Sequence, residues 1–205
     1  MATTTTHYGF DIPQSTDLVK DGATAIATLG QDIDTAMNTA LGTNKAGMVL
    51  LNTTSFSGVS SQSVADNTFS STYDNYRILI TATSSTGAAL RFRFRAAGVD
   101  LSGSVYNQED AGADGATVSA QRATAQTSGY LGYMDTAKSN FAYDFFQPNV
   151  AVPKYYSGLF TRNTGNIIIA MLGGYVNQST SYDALTLIPS SGTITGSISI
   201  YGYNK

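Results

Sequence analysis

The hydrophobic pattern of this chain changes period near residue 45. Before that point, apolar residues recur at helical spacing: Ile26, Leu29, Ile33, Ala36, Met37, Ala40 and Leu41. Ile26, Ile33 and Ala40 lie seven apart, as do Leu29 and Ala36, which traces an a/d seam of about three heptads. The spacing predicts a helix from Asp21 to Leu41, with Asp21 capping its first N–H groups and Gly42 stopping it in the left-handed region. Gly30 costs such a helix about 1 kcal/mol. A helix this short is marginal in water and needs a partner. The seam of Ile26, Leu29, Ile33, Ala36 and Ala40 therefore packs on the chain's own body, on copies of itself, or on another protein.

Ahead of the helix, residues 1–19 read as an extended arm. Thr3 to Thr6 form a β-branched polar run, and Pro13 biases Ile12 towards extended geometry. Tyr8, Phe10, Ile12 and Leu18 are too apolar for a tail that only floats, so they are the candidate anchoring residues.

From residue 46 the period becomes two. In Leu90 to Arg95, LRFRFR, the residues Leu90, Phe92 and Phe94 point one way and Arg91, Arg93 and Arg95 the other. Strands are also expected at 47–52, 76–82, 130–134, 141–146, 155–161, 166–172, 182–188 and 193–203. In the last, Ile198, Ile200 and Gly202 share one face, and Ser199, Tyr201 and Tyr203 the other. NTGN at 163–166 and SSG at 190–192 read as hairpin turns. Residues 96–128 carry much Gly and Ala and read as long excursions, with irregular strands at 102–108 and 118–124 as the alternative. The fold class is mainly β: an antiparallel β-sandwich or jelly roll after an extended arm and one short helix. The domains expected are 1–45, for anchoring and oligomerisation, and 46–205, the β-body.

Composition narrows the chemistry. The 205 residues include 27 Thr, 22 Ser, 20 Gly and 13 Tyr, and only 12% are charged. Such a surface suits an extracellular or assembled protein. There is no cysteine, hence no disulfide framework and no thiol nucleophile or thiolate metal site. The net charge is −3, and residues 1–45 supply it, with five acids against two bases. The body holds nine of each and is neutral. This balance argues against nucleic acid as a partner. No apolar run approaches membrane-spanning length, which excludes helical membrane insertion. The opening MATTTTHYGFDIPQ lacks the basic and apolar regions of a secretion signal, so host lysis is one expected route to the outside.

No catalytic constellation emerges. The one histidine, His7, sits in the arm, and no nucleophile-elbow, zincin or phosphate-loop motif occurs. Glu109, Asp110 and Asp114 form the only local acidic cluster, and their spacing does not match a calcium loop. Glycan hydrolysis by carboxylates paired in space, from Glu109, Asp110, Asp135 or Asp144, is the remaining enzymatic alternative. No cofactor and no metal are expected. The guanidinium ladder of Arg91, Arg93 and Arg95 either pairs with acids on adjacent strands or a neighbouring subunit, or meets phosphates or sulfated glycans. A neutral body favours pairing. Tyr130, Tyr133, Tyr143, Phe145, Phe146, Tyr155 and Tyr156 exceed the needs of one core, so some belong at interfaces. Arg91, Arg93, Arg95, Tyr106, Tyr130 and Tyr133 are the candidate recognition or interface residues.

Residues 8–37, YGFDIPQSTDLVKDGATAIATLGQDIDTAM, resemble the opening of tailed-bacteriophage structural proteins of the tail fibre or minor tail type. TYDNYRILI at 72–80 and GTITGSISIYGYNK at 192–205 are similar to the β-sandwich tip and attachment domains of such proteins. The resemblance covers both ends and little of the middle. It implies a virion protein anchored by its N-terminal arm to other phage structural proteins. It also implies a projecting body that meets a host surface glycan or protein, and a homotrimer. It implies no catalytic residue. A head decoration protein that stabilises the capsid uses the same architecture and is the alternative.

Overall fold

The computed structural model describes residues 3–6, 9–12, 18–41, 47–163 and 165–204. The chain divides into two units, residues 1–47 and 48–203.

The described part of the arm is a small hairpin rather than an extended peptide. β1 (Thr3–Thr4) pairs antiparallel with β2 (Asp11–Ile12), Thr3 opposite Ile12. The Phe10 N–H donates to Thr5 Oγ1 at 2.9 Å, and the Thr5 N–H donates to the Phe10 carbonyl at 2.9 Å. Gly9, at φ 67°, supplies the left-handed residue that such a reversal needs. α1 (Val19–Leu41) begins two residues ahead of the expected start. Asp21 is therefore not the cap. It lies in the first turn, where a carboxylate favours the positive end of the helix dipole. The expected stop at Gly42 lies outside the described residues. Thr28, Thr35 and Thr39 return their hydroxyls to the carbonyls four residues back, at 2.8–3.0 Å, so these polar groups are satisfied within the helix.

The second unit is an antiparallel β-sandwich. Its larger sheet runs, in spatial order, β3 (Met48–Val59), β15 (Ile194–Tyr203), β5 (Asn75–Ser84), β11 (Ser139–Phe146), β12 (Lys154–Asn163), β13 (Ile167–Val176), β8 (Tyr106–Asp114) and β9 (Thr117–Gln126). The smaller runs β10 (Gly129–Met134), β6 (Ala88–Ala96), β14 (Ala184–Pro189) and β4 (Gln62–Ser63), with β7 (Val99–Asp100) also paired to β6. The strands expected from alternation all form, extended by several residues where a neighbouring strand continues to pair. The SSG segment is not a hairpin turn, because β14 belongs to the smaller sheet and β15 to the larger. It is a corner between layers, and Gly192, at φ 67°, turns it. NTGN does join neighbours: the Gly165 N–H donates to Asn163 Oδ1 at 2.9 Å between β12 and β13.

The stretch 96–128 follows the alternative of strands and not of long excursions: 118–124 lies within β9 and the end of 102–108 within β8. It holds β7 and the β8–β9 hairpin, in full register from Gln108–Ala123 to Asp114–Thr117. The small residues that weakened the pattern are needed for packing. A Cβ on Gly112 would lie 2.6 Å from that of Ala170 on β13.

Aromatic rings join the layers. Phe92 of β6 meets Phe145 and Tyr156 of the larger sheet edge-on, both at 4.9 Å between ring centres, and Tyr106 at 5.8 Å. Its ring lies over Gly129, its cross-strand partner on β10, where a Cβ would approach to 2.2 Å. Tyr156 covers its own partner Gly174 in the same manner, at 2.1 Å. Ile78, Ile80, Leu90, Phe94, Ile198 and Ile200 complete this core.

Among the described residues one cation is inside. Lys154 is fully buried, and its ammonium donates to the carbonyls of Val150 and Val152 and faces the Tyr182 ring at 5.7 Å. Burial lowers its pKa to about 8. A neutral amine keeps two N–H donors, enough for both carbonyls. The unfolded chain holds this proton up to the ordinary lysine pKa of about 10.4. Stability contributed by Lys154 should therefore rise as pH increases above 8, by about 2–3 kcal/mol at most. Urea denaturation at pH 7.0, 8.0 and 9.5 checks this. Lys154→Met should be flatter over this range than the parent, at the cost of two unpaired carbonyls.

Candidate interaction surface

In the larger sheet, alternation sends one set of side chains into the core and the other outwards. On β3, β15 and the adjoining part of β5 the outward set is mostly polar, although Met48 and Leu50 are exposed at the start of β3. It includes Thr53, Ser55, Thr81, Ser197 and Ser199, and the Thr53 and Ser199 hydroxyls share a hydrogen bond at 3.2 Å. Across the rest of the sheet one outward row turns apolar, between a row with Thr81, Asn140 and Thr161 and a row with Arg77, Asp144, Glu109 and Arg122. Register aligns Leu79, Ala142, Leu159, Met171, Ala111 and Ala120 in one row over six strands, β5 to β9. The adjacent row brings Ile169, Ala113 and Val118 together. These are not edge contacts half-covered by loops: Leu79 is 40% exposed, Leu159 43%, Met171 67% and Val118 78%.

Gly173 opens a trough beside this row. It faces outwards opposite Ser157 and Glu109, and a Cβ there would meet nothing within 4 Å. On one side stand Leu159 and Met171, and the concavity over them measures about 820 Å³. On the other stand Tyr155 and Tyr175, with ring centres 5.1 Å apart, beside a concavity of about 520 Å³. The outward charges are paired: Glu109 with Arg122 at 3.3 Å, and Arg77 with Asp144 at 2.7 Å.

The smaller sheet presents the arginine ladder, and its members have separate partners. Arg95 reaches Asp100 at 2.8 Å and Asp66 at 3.4 Å. Arg93 Nε donates to the Thr127 carbonyl at 3.0 Å, and Arg91 lies 5.8 Å from the Tyr130 ring centre. Tyr130 and Tyr133 border a small polar cleft with Asp110, Gln121 and Arg162, about 230 Å³ in volume. Arg162 stacks 4.7 Å above Tyr133. Burial raises the Asp110 pKa and pushes that of Tyr130 up to about 12. Tyr130 thus lies near Arg91 and also borders a cleft with Tyr133, whereas Arg95 is occupied at the β7 side.

Tyr106 is not a recognition residue. It is fully buried, its hydroxyl donates to the Leu101 carbonyl at 3.2 Å, and it accepts the Phe94 N–H at 2.9 Å. Tyr143, Phe145 and Tyr156 are core residues too, while Tyr133, Phe146 and Tyr155 are exposed. Glu109 and Asp110 are consecutive on β8 and point to opposite faces, so they cannot converge on one ion. Among the described residues, no group of three His, Cys, Asp or Glu side chains is placed to hold a metal. Asp135 lies 3.8 Å from Arg162, and Asp144 accepts from Arg77 and from the Tyr203 hydroxyl, each at 2.7 Å.

In the N-terminal unit, Ile26, Ile33 and Met37 are exposed, and so is Ala40, while Leu29 and Ala36 are half-buried. Of the anchoring candidates, Phe10 is half-buried, Ile12 and Leu18 are exposed, and Tyr8 lies outside the described residues.

The outward apolar row was missed by sequence reading. Its signal was present in IIIAMLGGYV at 167–176, where both alternating sets are apolar. A strand apolar on both faces is covered on both. Compared with protein family models, curated proteins and solved structures, the chain gives no match.

The arginines should differ in cost when truncated. Arg95→Ala leaves Asp100 half-buried with only the Thr186 hydroxyl, at 2.7 Å, and should lower stability by about 1–3 kcal/mol. Arg91→Ala loses a ring contact and should cost about 0.5–1 kcal/mol. Urea titration of both variants at pH 7 checks the order.

Proposed function

We propose that this chain is a structural component of a tailed-phage virion, of the tail fibre or tail adaptor type, and that it acts by surface contact rather than by covalent chemistry. The observation that carries the reading is the exposed apolar row on the larger sheet. A side chain such as Met171 on a sheet's outer face gains from being covered by another molecule. Composition supports the same reading. A Thr- and Ser-rich chain with few charges is suited to a permanent assembly. The resemblance of residues 8–37, 72–80 and 192–205 to tail proteins supplies the kind of particle.

In this reading the N-terminal unit docks on other phage structural proteins through Phe10, Ile12 and Leu18. The seam of α1 joins copies into a homotrimer, for which Ile26 and Ile33 offer the apolar positions. The β-body projects and takes part in host attachment. The two small clefts that share Tyr130, one lined also by Arg91 and the other by Tyr133, have a mixed aromatic and polar lining suited to a host glycan or protein.

Mass spectrometry of purified particles should find the chain, and gold-labelled antibody against the β8–β9 hairpin should mark the tail periphery. Label over the head shell would assign it to capsid decoration instead. Absence from the particle would reject a virion role.

A further inference from the structure

We infer that the apolar outer face of the larger sheet, centred on Leu159 and Met171, is covered by a second copy of this chain. This deepens the reading of the body as a surface-contact module and rests on that reading, but not on which particle the chain serves.

Size argues first. Six strands about 4.8 Å apart span roughly 24 Å, and the outward positions from Ile169 to Tyr175 cover roughly 20 Å along β13. The face is therefore on the order of 500 Å² in projection, its apolar row flanked by the paired charges of the Gly173 row, and more in accessible area because side chains corrugate it. That approaches the ~800 Å² that each partner contributes to a stable interface. It lies in the upper part of the range, about 300–600 Å², of the largest apolar patch that a monomer carries, a patch that is often functional.

Charge argues next. The four ionised side chains facing outward on these strands form two internal pairs, Glu109 with Arg122 and Arg77 with Asp144. The face is neutral, so copies of it approach without like-charge repulsion. A nucleic acid would need net positive charge here. A glycan would need converging hydrogen-bond groups, and the row through Met171 presents methyl and thioether surface. A second copy requires neither. Homo-oligomer interfaces are the class richest in apolar area. Beyond Leu79 the row continues into the hydroxyls of Ser199 and Thr53, which end its apolar part on that side.

The test uses the full chain and light scattering over a wide concentration range. Leu79→Glu and Met171→Glu, combined, place two carboxylates three strands apart on solvent-facing positions, so folding should survive. Circular dichroism and a retained melting transition establish that. The parent should form an assembly, and the double variant should associate at least 100-fold more weakly, because each carboxylate would be buried without a partner. A folded double variant with the parent's mass would overturn the inference, and loss of that mass in Ile33→Asp alone would give the assembly to α1. A parent that stays a single chain of 21.6 kDa at the highest concentration would also overturn it. That last result leaves the virion reading to the particle labelling, which it does not touch. If the double variant fails to fold, Met171→Lys alone replaces it, read by the same mass and against the same two contrary outcomes.

Discussion

The sandwich depends on rings taking space that strand glycines leave. Phe92 lies over Gly129, and Tyr156 lies over Gly174, each pair opposite in register. The rings can then lean across the strands and meet edge-to-face, Phe92 against both Phe145 and Tyr156. A side chain at either glycine would have to displace an aromatic ring from the core. Glycine in a strand interior usually costs stability; here the ring packing offsets that cost. The same demand for close approach produces the small residues of β8, where Gly112 lies against Ala170.

With the core filled from one face, the outer face of the larger sheet is left for other uses. It divides along the sheet. The β3 and β15 end presents the bonded hydroxyls of Thr53 and Ser199, with Met48 and Leu50 exposed beside them. The β12 to β8 end carries the apolar row of Leu159 and Met171, pairs its outward charge with Arg122, and is recessed at Gly173. Solvation alone would not select Leu159 and Met171 as outward neighbours. The smaller sheet contrasts with it, since its outward arginines are each taken up by an acid, a carbonyl or a ring. One outer surface is thus polar and internally settled, and the other gains from a partner.

Much of this was legible in the sequence. LRFRFR and ISIYGY announced their buried sets by strict alternation, and Phe92, Phe94, Ile198 and Ile200 are buried as that pattern requires. The helix was legible from its seam, though its start lies at Val19 because backbone geometry, and not the first good capping residue, decides where turns begin. Three features were hidden for physical reasons. The β8–β9 hairpin, legible only as an alternative, mixes Gly and Ala with polar residues, and their weak hydropathy conceals a period of two. The SSG corner has the residues of a hairpin turn, and only pairing partners far away in sequence show that it changes layer. Tyr106 has the character of an interface residue, yet its hydroxyl finds the Leu101 carbonyl and Phe94 N–H inside the core. The candidate surface was the least legible part, because an apolar residue bears no mark of whether its cover comes from its own chain.

Methionine oxidation by brief radical footprinting of the full chain tests this division of faces most directly. Met134 is buried and Met171 is 67% exposed in the single chain. If a second copy covers the outer face, Met171 at high protein concentration should oxidise almost as slowly as Met134. It should become at least 10-fold faster on dilution, or in a Leu79→Glu protein that still carries Met171. Equal and rapid oxidation of Met171 at every concentration would contradict burial of this face between copies.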